Sequence, residues 1–203
     1  MDLFAHGLWT AAAGLTAKRT LRPRFRLKWA ILWGIFPDVF AFGPVFLVSM
    51  YLRVSSDAAP QHYFFSRSLR DALPQPIRPD TLYLFSHSLA VFIAVFGVTW
   101  LVRRRLALAM LAWPLHILMD IPSHRAGMYG TPFLWPFSSY RFDGVSWGRP
   151  RFMLLNYTLI ASAYLLLFAW WLFSSRRSRS QKSGRERKER CVGAPTAEGP
   201  SGN

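Results

Sequence analysis

Phe152–Phe173 runs for 22 residues without a formal charge, and Leu82–Val102 for 21. Trp29–Leu52 adds 24 residues whose single charge is Asp38. Three such runs leave little choice of solvent, since about 20 consecutive apolar residues cross the hydrocarbon core as one helix. Within lipid the backbone must satisfy its own hydrogen bonds, and a helix does so. Leu106–Ile121 is shorter and carries one acid, but it follows the preceding run closely enough to return through the bilayer. Leu3–Ala17 is a fifth, marginal segment. Its basic residues come after the apolar stretch, where a secretory signal has them before it. The expectation is an all-α, polytopic membrane helix bundle of about five helices.

In a soluble chain a net charge of +15 would suggest nucleic acid. Here the distribution of charge speaks to topology instead, and nucleic acid is the lesser reading. Lys18–Lys28 holds six basic residues, Arg103–Arg105 three and Arg176–Arg190 eight, which is 17 of 25. The positive-inside rule makes all three clusters cytoplasmic. They fall where an alternating path of five segments demands, so the N-terminus and the loops 53–81 and 125–151 face outward. From Ser174 the chain turns polar and basic, with almost no apolar residues, and is expected to be disordered. This divides it into a membrane domain, 1–173, and a cytoplasmic tail, 174–203, able to touch anionic lipid. Cys191 is the lone cysteine, so neither a disulfide framework nor a cysteine zinc site is expected.

Leu111–His124, LAWPLHILMDIPSH, is apolar yet carries His116, Asp120 and His124. Residues four apart share a helix face, so His116 and Asp120 stack one turn apart, where an imidazole and a carboxylate can clasp a divalent ion. Pro122 kinks or ends the helix, freeing His124 to turn toward the same site or a second ion. Asp38 falls about 14 Å from Trp29 along its helix, near the midplane, where a carboxylate is costly unless neutral, paired or bound to a cation. His6 stands in the outer half of the first segment, and His87 in the outer half of the third between Ser86 and Ser88. Either hydroxyl could serve a supporting or backbone hydrogen bond. His6, Asp38, His87, His116, Asp120 and His124 thus all lie between the midplane and the outer face, each placed from its own segment's ends. His62 reads as a surface histidine, and Asn156 and Tyr157 as packing residues.

The 27 residues from Arg125 to Arg151 are rich in Gly, Pro and aromatics and lack a regular period. Such a loop reads as a cap over the outer mouth of the site, with Arg125 and Arg141 available to anions. The alternative is a belt of Trp, Tyr and Phe at the membrane interface.

The early His6 before a small-residue helix, FPD at Phe36–Asp38, SHS at Ser86–Ser88, H-x3-D at His116–Asp120 and TPFLWPFS at Thr131–Ser138 recur in this order in a known bacterial family. The chain resembles, from about His6 to about Phe142, the inner-membrane metal-dependent hydrolases described as LexA-binding or LexA-regulated (domain of unknown function 457). The resemblance implies a hydrolase of the bacterial inner membrane and maps the family's polar residues onto His6, Asp38, His87, His116 and Asp120. A His-Arg pair common in that family before the SHS-like motif is replaced here by DTLYLF, Asp80–Phe85. The H-x3-D spacing is also similar to that of zinc-dependent phospholipases C.

Three functional readings follow. In the first, a divalent ion, zinc foremost, is held by imidazoles and carboxylates and lowers the pKa of bound water to about 7. Asp38 or Asp120 then acts as ligand or general base, on a phosphate-ester or lipid-like substrate bound through arginine. In the second, His87 and His116 are the axial ligands of a haem. In the third, the polar residues pair only with one another in a scaffold or channel-like protein.

Overall fold

Apolar runs of this length fold as helices, and the regular structure among the described residues is helical throughout. The computed structural model describes residues 1–20, 26–55, 71, 73–103, 108–127 and 129–192. His62 and most of the loop around it lie outside these. The helices are α1 (Leu3–Thr20), α2 (Leu27–Ser55), α3 (Pro79–Ser86), α4 (Leu89–Val102), α5 (Ala112–Ser123) and α6 (Pro150–Val192). The chain divides into two compact units, Met1–Ala161 and Ser162–Asn203. The first holds α1 to α5 and the opening turns of α6; the second continues α6.

Two helices are long and apolar enough to cross a membrane alone, α2 and the Pro150–Ser175 part of α6. Many of their large apolar side chains face outward, Leu47, Val54, Leu154 and Leu166 among them, as lipid-facing surfaces do. The other three expected segments are helical but shaped differently. α1 is 18 residues long and ends on Lys18 and Arg19. The run Leu82–Val102 is not one straight span: α3 and α4 meet at a bend of 62°. The fourth segment is a short apolar helix, Leu108–Ser123.

The bend follows from local chemistry. His87 closes α3, its backbone N–H bonding to Tyr83 O, with φ −106° and ψ 18°. Ser88 is extended and caps α4, its hydroxyl accepting from the Val91 N–H at 3.2 Å. Serine satisfies an orphan donor of a new helix start, so a serine inside an apolar run can divide it.

In the first unit α2 is the hub, with α1, α3 and α5 packed against it. Phe92, Met110, Trp113 and Ile117 form a buried apolar cluster that Trp33 and Phe36 of α2 join. Trp33 and Trp113 stack at 5.8 Å, and the Trp113 indole donates to Ser86 O at 2.6 Å. Asn156 and Tyr157 do more than pack. Trp9 donates to Asn156 Oδ1 at 2.9 Å and the Tyr157 hydroxyl to Asp2 Oδ1 at 3.0 Å, tying the start of α6 to α1.

The 125–151 segment is pinned at both ends of the site. Leu89 N–H donates to Phe133 O at 3.1 Å, and the Ser88 hydroxyl to Trp135 O. At the other side Gly144, Val145 and Trp147 donate to His124 O, Pro122 O and Ser123 O at 2.8–2.9 Å. Gly144 has to be glycine there, because an added Cβ would fall against Pro122 and within 2.9 Å of His124 O.

The tail departs from expectation. α6 continues to Val192, so residues 174–192 are helical where disorder was expected, and 193–203 lie outside the described residues. Lack of apolar residues removes a core, not a helix: Arg, Lys, Gln and Glu have good helix propensity, and extending an existing helix avoids the cost of nucleation.

Candidate metal centre

Two helices and one helix break bring four of the polar residues together. Asp38 comes from the middle of α2, His87 from the α3–α4 break, and His116 and Asp120 from successive turns of α5. One ligand atom from each of these four lies within 4.8 Å of every other. His87, His116 and Asp120 are buried, with side chains at most 1% exposed, whereas that of Asp38 is 16% exposed. The cluster therefore has one accessible side, and Asp38 stands on it.

His87 Nε2 and His116 Nε2 are 3.2 Å apart, and each is 3.3 Å from Asp120 Oδ2 and 3.6 Å from Asp38 Oδ1. An imidazolium bonded directly to a carboxylate closes to about 2.7–2.9 Å. These groups stop short of that, and Asp120 Oδ2 has no hydrogen-bond partner. Ligand bonds of about 2.0–2.2 Å in a tetrahedral site place neighbouring donor atoms about 3.3–3.6 Å apart. The five imidazole–imidazole and imidazole–carboxylate separations are close to that range.

The tautomer of His116 supports this. Its Nδ1 lies 2.7 Å from Gly34 O, and a carbonyl only accepts, so Nδ1 carries the proton. Nε2 is thereby left facing the cluster, the arrangement by which a supporting acceptor orients a metal-binding histidine. His87 Nδ1 is 2.9 Å from Ser86 Oγ. A hydroxyl both donates and accepts, so Ser86 serves either tautomer: Nδ1–H with a free Nε2 pair, or Nε2–H bonded to His116. Tyr83 stacks on the His87 ring at 3.7 Å and holds its plane. Asp38, His87, His116 and Asp120 can hold a metal ion.

No protein-family profile, curated protein or solved structure matches this chain. What the site can do follows from its geometry.

Of the six residues expected in the site, the other two lie against Asp120. His6 is fully buried, its Nε2 3.0 Å from Asp120 Oδ1 and 3.9 Å from Asp38 Oδ2. Its ring stacks on that of His116 at 3.6 Å. His124 Nδ1 is 3.1 Å from Asp120 O and 3.5 Å from Asp120 Oδ1. The Met1 amine also contacts Asp120 Oδ1 and lies 3.2 Å from Ser123 Oγ. Arg125 and Arg141 brace the loop: Arg125 pairs with Asp143 at 3.7 Å, and Arg141 donates to Gly127 O at 2.6 Å.

Two supporting groups carried no signal strong enough to read from sequence. Gly34 supplies the carbonyl that fixes His116, and its bare Cα lets Thr10 of α1 come close. A glycine one turn before Asp38, facing a small-residue helix, was the available hint. Tyr83 is one turn before His87, a spacing that would have placed it over that ring.

Proposed function

We propose that this chain is a membrane-embedded metal-dependent hydrolase, with zinc as the ion and a phosphate ester or lipid-like molecule as substrate at the outer half of the membrane. The observation that carries this reading is the convergence of two imidazole nitrogens, 3.2 Å apart, on two carboxylate oxygens at 3.3 and 3.6 Å. Mixed nitrogen and oxygen donors favour zinc over calcium or magnesium, which take oxygen ligands in larger number. When bound, such an ion polarises a phosphoryl oxygen and lowers the pKa of water to about 7.

The two carboxylates differ in setting, and so in role. Asp120 is sealed and 3.3 Å from both imidazoles, which suits a fixed ligand. Asp38 is the more exposed and the farther at 3.6 Å, which suits a ligand on the side where water and substrate would reach the ion. Tyr83, Ser86 and Gly34 O hold the imidazoles, while the 131–138 turn packs over the α3–α4 break. Arg125 and Arg141 are the groups offered to an anionic headgroup.

Asp38→Asn is expected to keep the fold, since the amide has nearly the same shape, and to lower turnover by at least about a hundredfold. Hydrolysis of a phosphate-ester and phospholipid panel by detergent-purified protein with zinc or manganese, beside a thermal melt, checks both parts. A wild type that binds metal and hydrolyses nothing in that panel refutes the enzyme.

The haem reading fails on space, because no macrocycle fits between imidazole nitrogens 3.2 Å apart. The scaffold reading leaves Asp120 Oδ2 buried without a partner. We further infer a multi-pass protein of the bacterial inner membrane with a cytoplasmic C-terminus, from the basic clusters and the resemblance to inner-membrane hydrolases. Reporter fusions after Phe173 should read inside, and those within residues 55–78 outside. The reverse pattern would put the site on the cytoplasmic side.

A further inference from the structure

Each carboxylate of the cluster turns only one oxygen to His87 and His116. Asp38 Oδ1 faces those two imidazoles, while Oδ2 faces His6 at 3.9 Å. Asp120 Oδ2 faces the same two at 3.3 Å, while Oδ1 faces His6 at 3.0 Å and His124 at 3.5 Å. Both acids thus split in the same sense, with His87 and His116 on one side and His6 on the other.

His6 is the group this division leaves unexplained. Its side chain is wholly buried, and neither ring nitrogen makes a hydrogen bond. The 3.0 Å approach to Asp120 Oδ1 lacks hydrogen-bond direction. A buried imidazole without partners is costly, yet it points at two carboxylate oxygens. The Met1 amine reaches Asp120 Oδ1 as well, but as an ammonium it brings one charge against two carboxylates and satisfies neither His6 nitrogen. The stacking of His6 on His116 at 3.6 Å sets two imidazoles side by side along the same pair of acids. Two-metal hydrolytic sites place their ions about 3.5–4 Å apart.

We propose a second divalent-ion site, formed by His6, Asp38 Oδ2 and Asp120 Oδ1, so that the two aspartates would be shared between two ions. The proposal rests on the metal-hydrolase reading above and extends it. When bound, such a pair would stabilise both the attacking and the leaving oxygen of an in-line displacement, chemistry suited to a phosphate ester.

The test is ion stoichiometry on the full chain purified in detergent, equilibrated with zinc and freed of loose metal. Wild type should retain two zinc ions per chain and His6→Ala one. Loaded with Mn²⁺, wild type should give the electron paramagnetic resonance signal of an exchange-coupled pair, and His6→Ala that of isolated ions. His6→Gln, which keeps more of the side-chain volume, repeats the measurement should the alanine variant fail to fold. One ion in wild type with one retained in the His6 variant overturns the second site and leaves the single-ion centre standing. Two ions in both proteins overturn the assignment to His6. No ion in wild type overturns the metal reading itself, and the second site with it.

Discussion

Asp120→Asn is expected to strip the centre of metal and to abolish hydrolysis, the largest effect of any single substitution in the chain. Asp120 is the residue every other group converges on: one oxygen stands 3.3 Å from His87 and His116, the other faces His6, His124 and the Met1 amine. An amide in its place has nearly the same shape but no charge, and one of its two positions becomes a donor directed at the cluster. Four-ligand zinc sites bind with about 10–16 kcal/mol. Losing one charged ligand of four removes roughly a quarter of that, on the order of a hundredfold or more in affinity. Metal content of the purified protein after dialysis against a weak chelator measures it. Asp143→Asn is the control, since that carboxylate is exposed on the loop and should leave metal content unchanged. Full metal retention by Asp120→Asn would mean the ion is held elsewhere.

Gly34→Ala is expected to damage the centre without touching a ligand. A Cβ on Gly34 would fall on the Thr10 side chain, 2.7 Å from Cγ2 and 2.8 Å from Cβ. Threonine is branched at Cβ and stiff, so α1 and α2 must part. His6 is one turn before Thr10 on α1, and Asp38 one turn after Gly34 on α2, so separating the helices pulls both from Asp120. The Gly34 carbonyl that fixes the His116 tautomer moves too. Overpacking of this kind costs about 1–3 kcal/mol, and metal content should fall with it. Gly7→Ala tests the same interface without the clash, because its Cβ would meet Ile35 Cγ2 at an ordinary 3.5 Å. A thermal melt of the two variants side by side, with their metal content, separates them. Equal behaviour of both would show that the α1–α2 contact does not position the site.

The clustered residues were legible in the sequence for a physical reason: a histidine or aspartate in an apolar helix is expensive, so each one stands out and needs a partner. Helix rise placed them at one depth, and the structure brings all six to Asp120 or its immediate neighbours. Supporting groups left no such mark. Gly34 acts through a carbonyl that every residue has, and Tyr83 through a ring in a run full of rings. The division of Leu82–Val102 was hidden because Ser88 looks like any small polar residue until its hydroxyl is seen to cap α4. Helicity as far as Val192 was missed because poor apolar content was read as absence of structure.

The bend at His87 has a consequence for how the protein assembles. Lipid tails are as apolar as leucine, so burial alone gives helices little reason to associate within a bilayer. Each of α1, α2, the α3–α4 pair and α5 enters carrying a polar group that it cannot satisfy alone. His87, sitting where two helices are interrupted, leaves backbone groups that only neighbours can cover: Ser86 O accepts from the Trp113 indole, and Leu89 N–H donates to Phe133 O. Assembly of this bundle therefore depends on helices that complete one another's hydrogen bonding and charge.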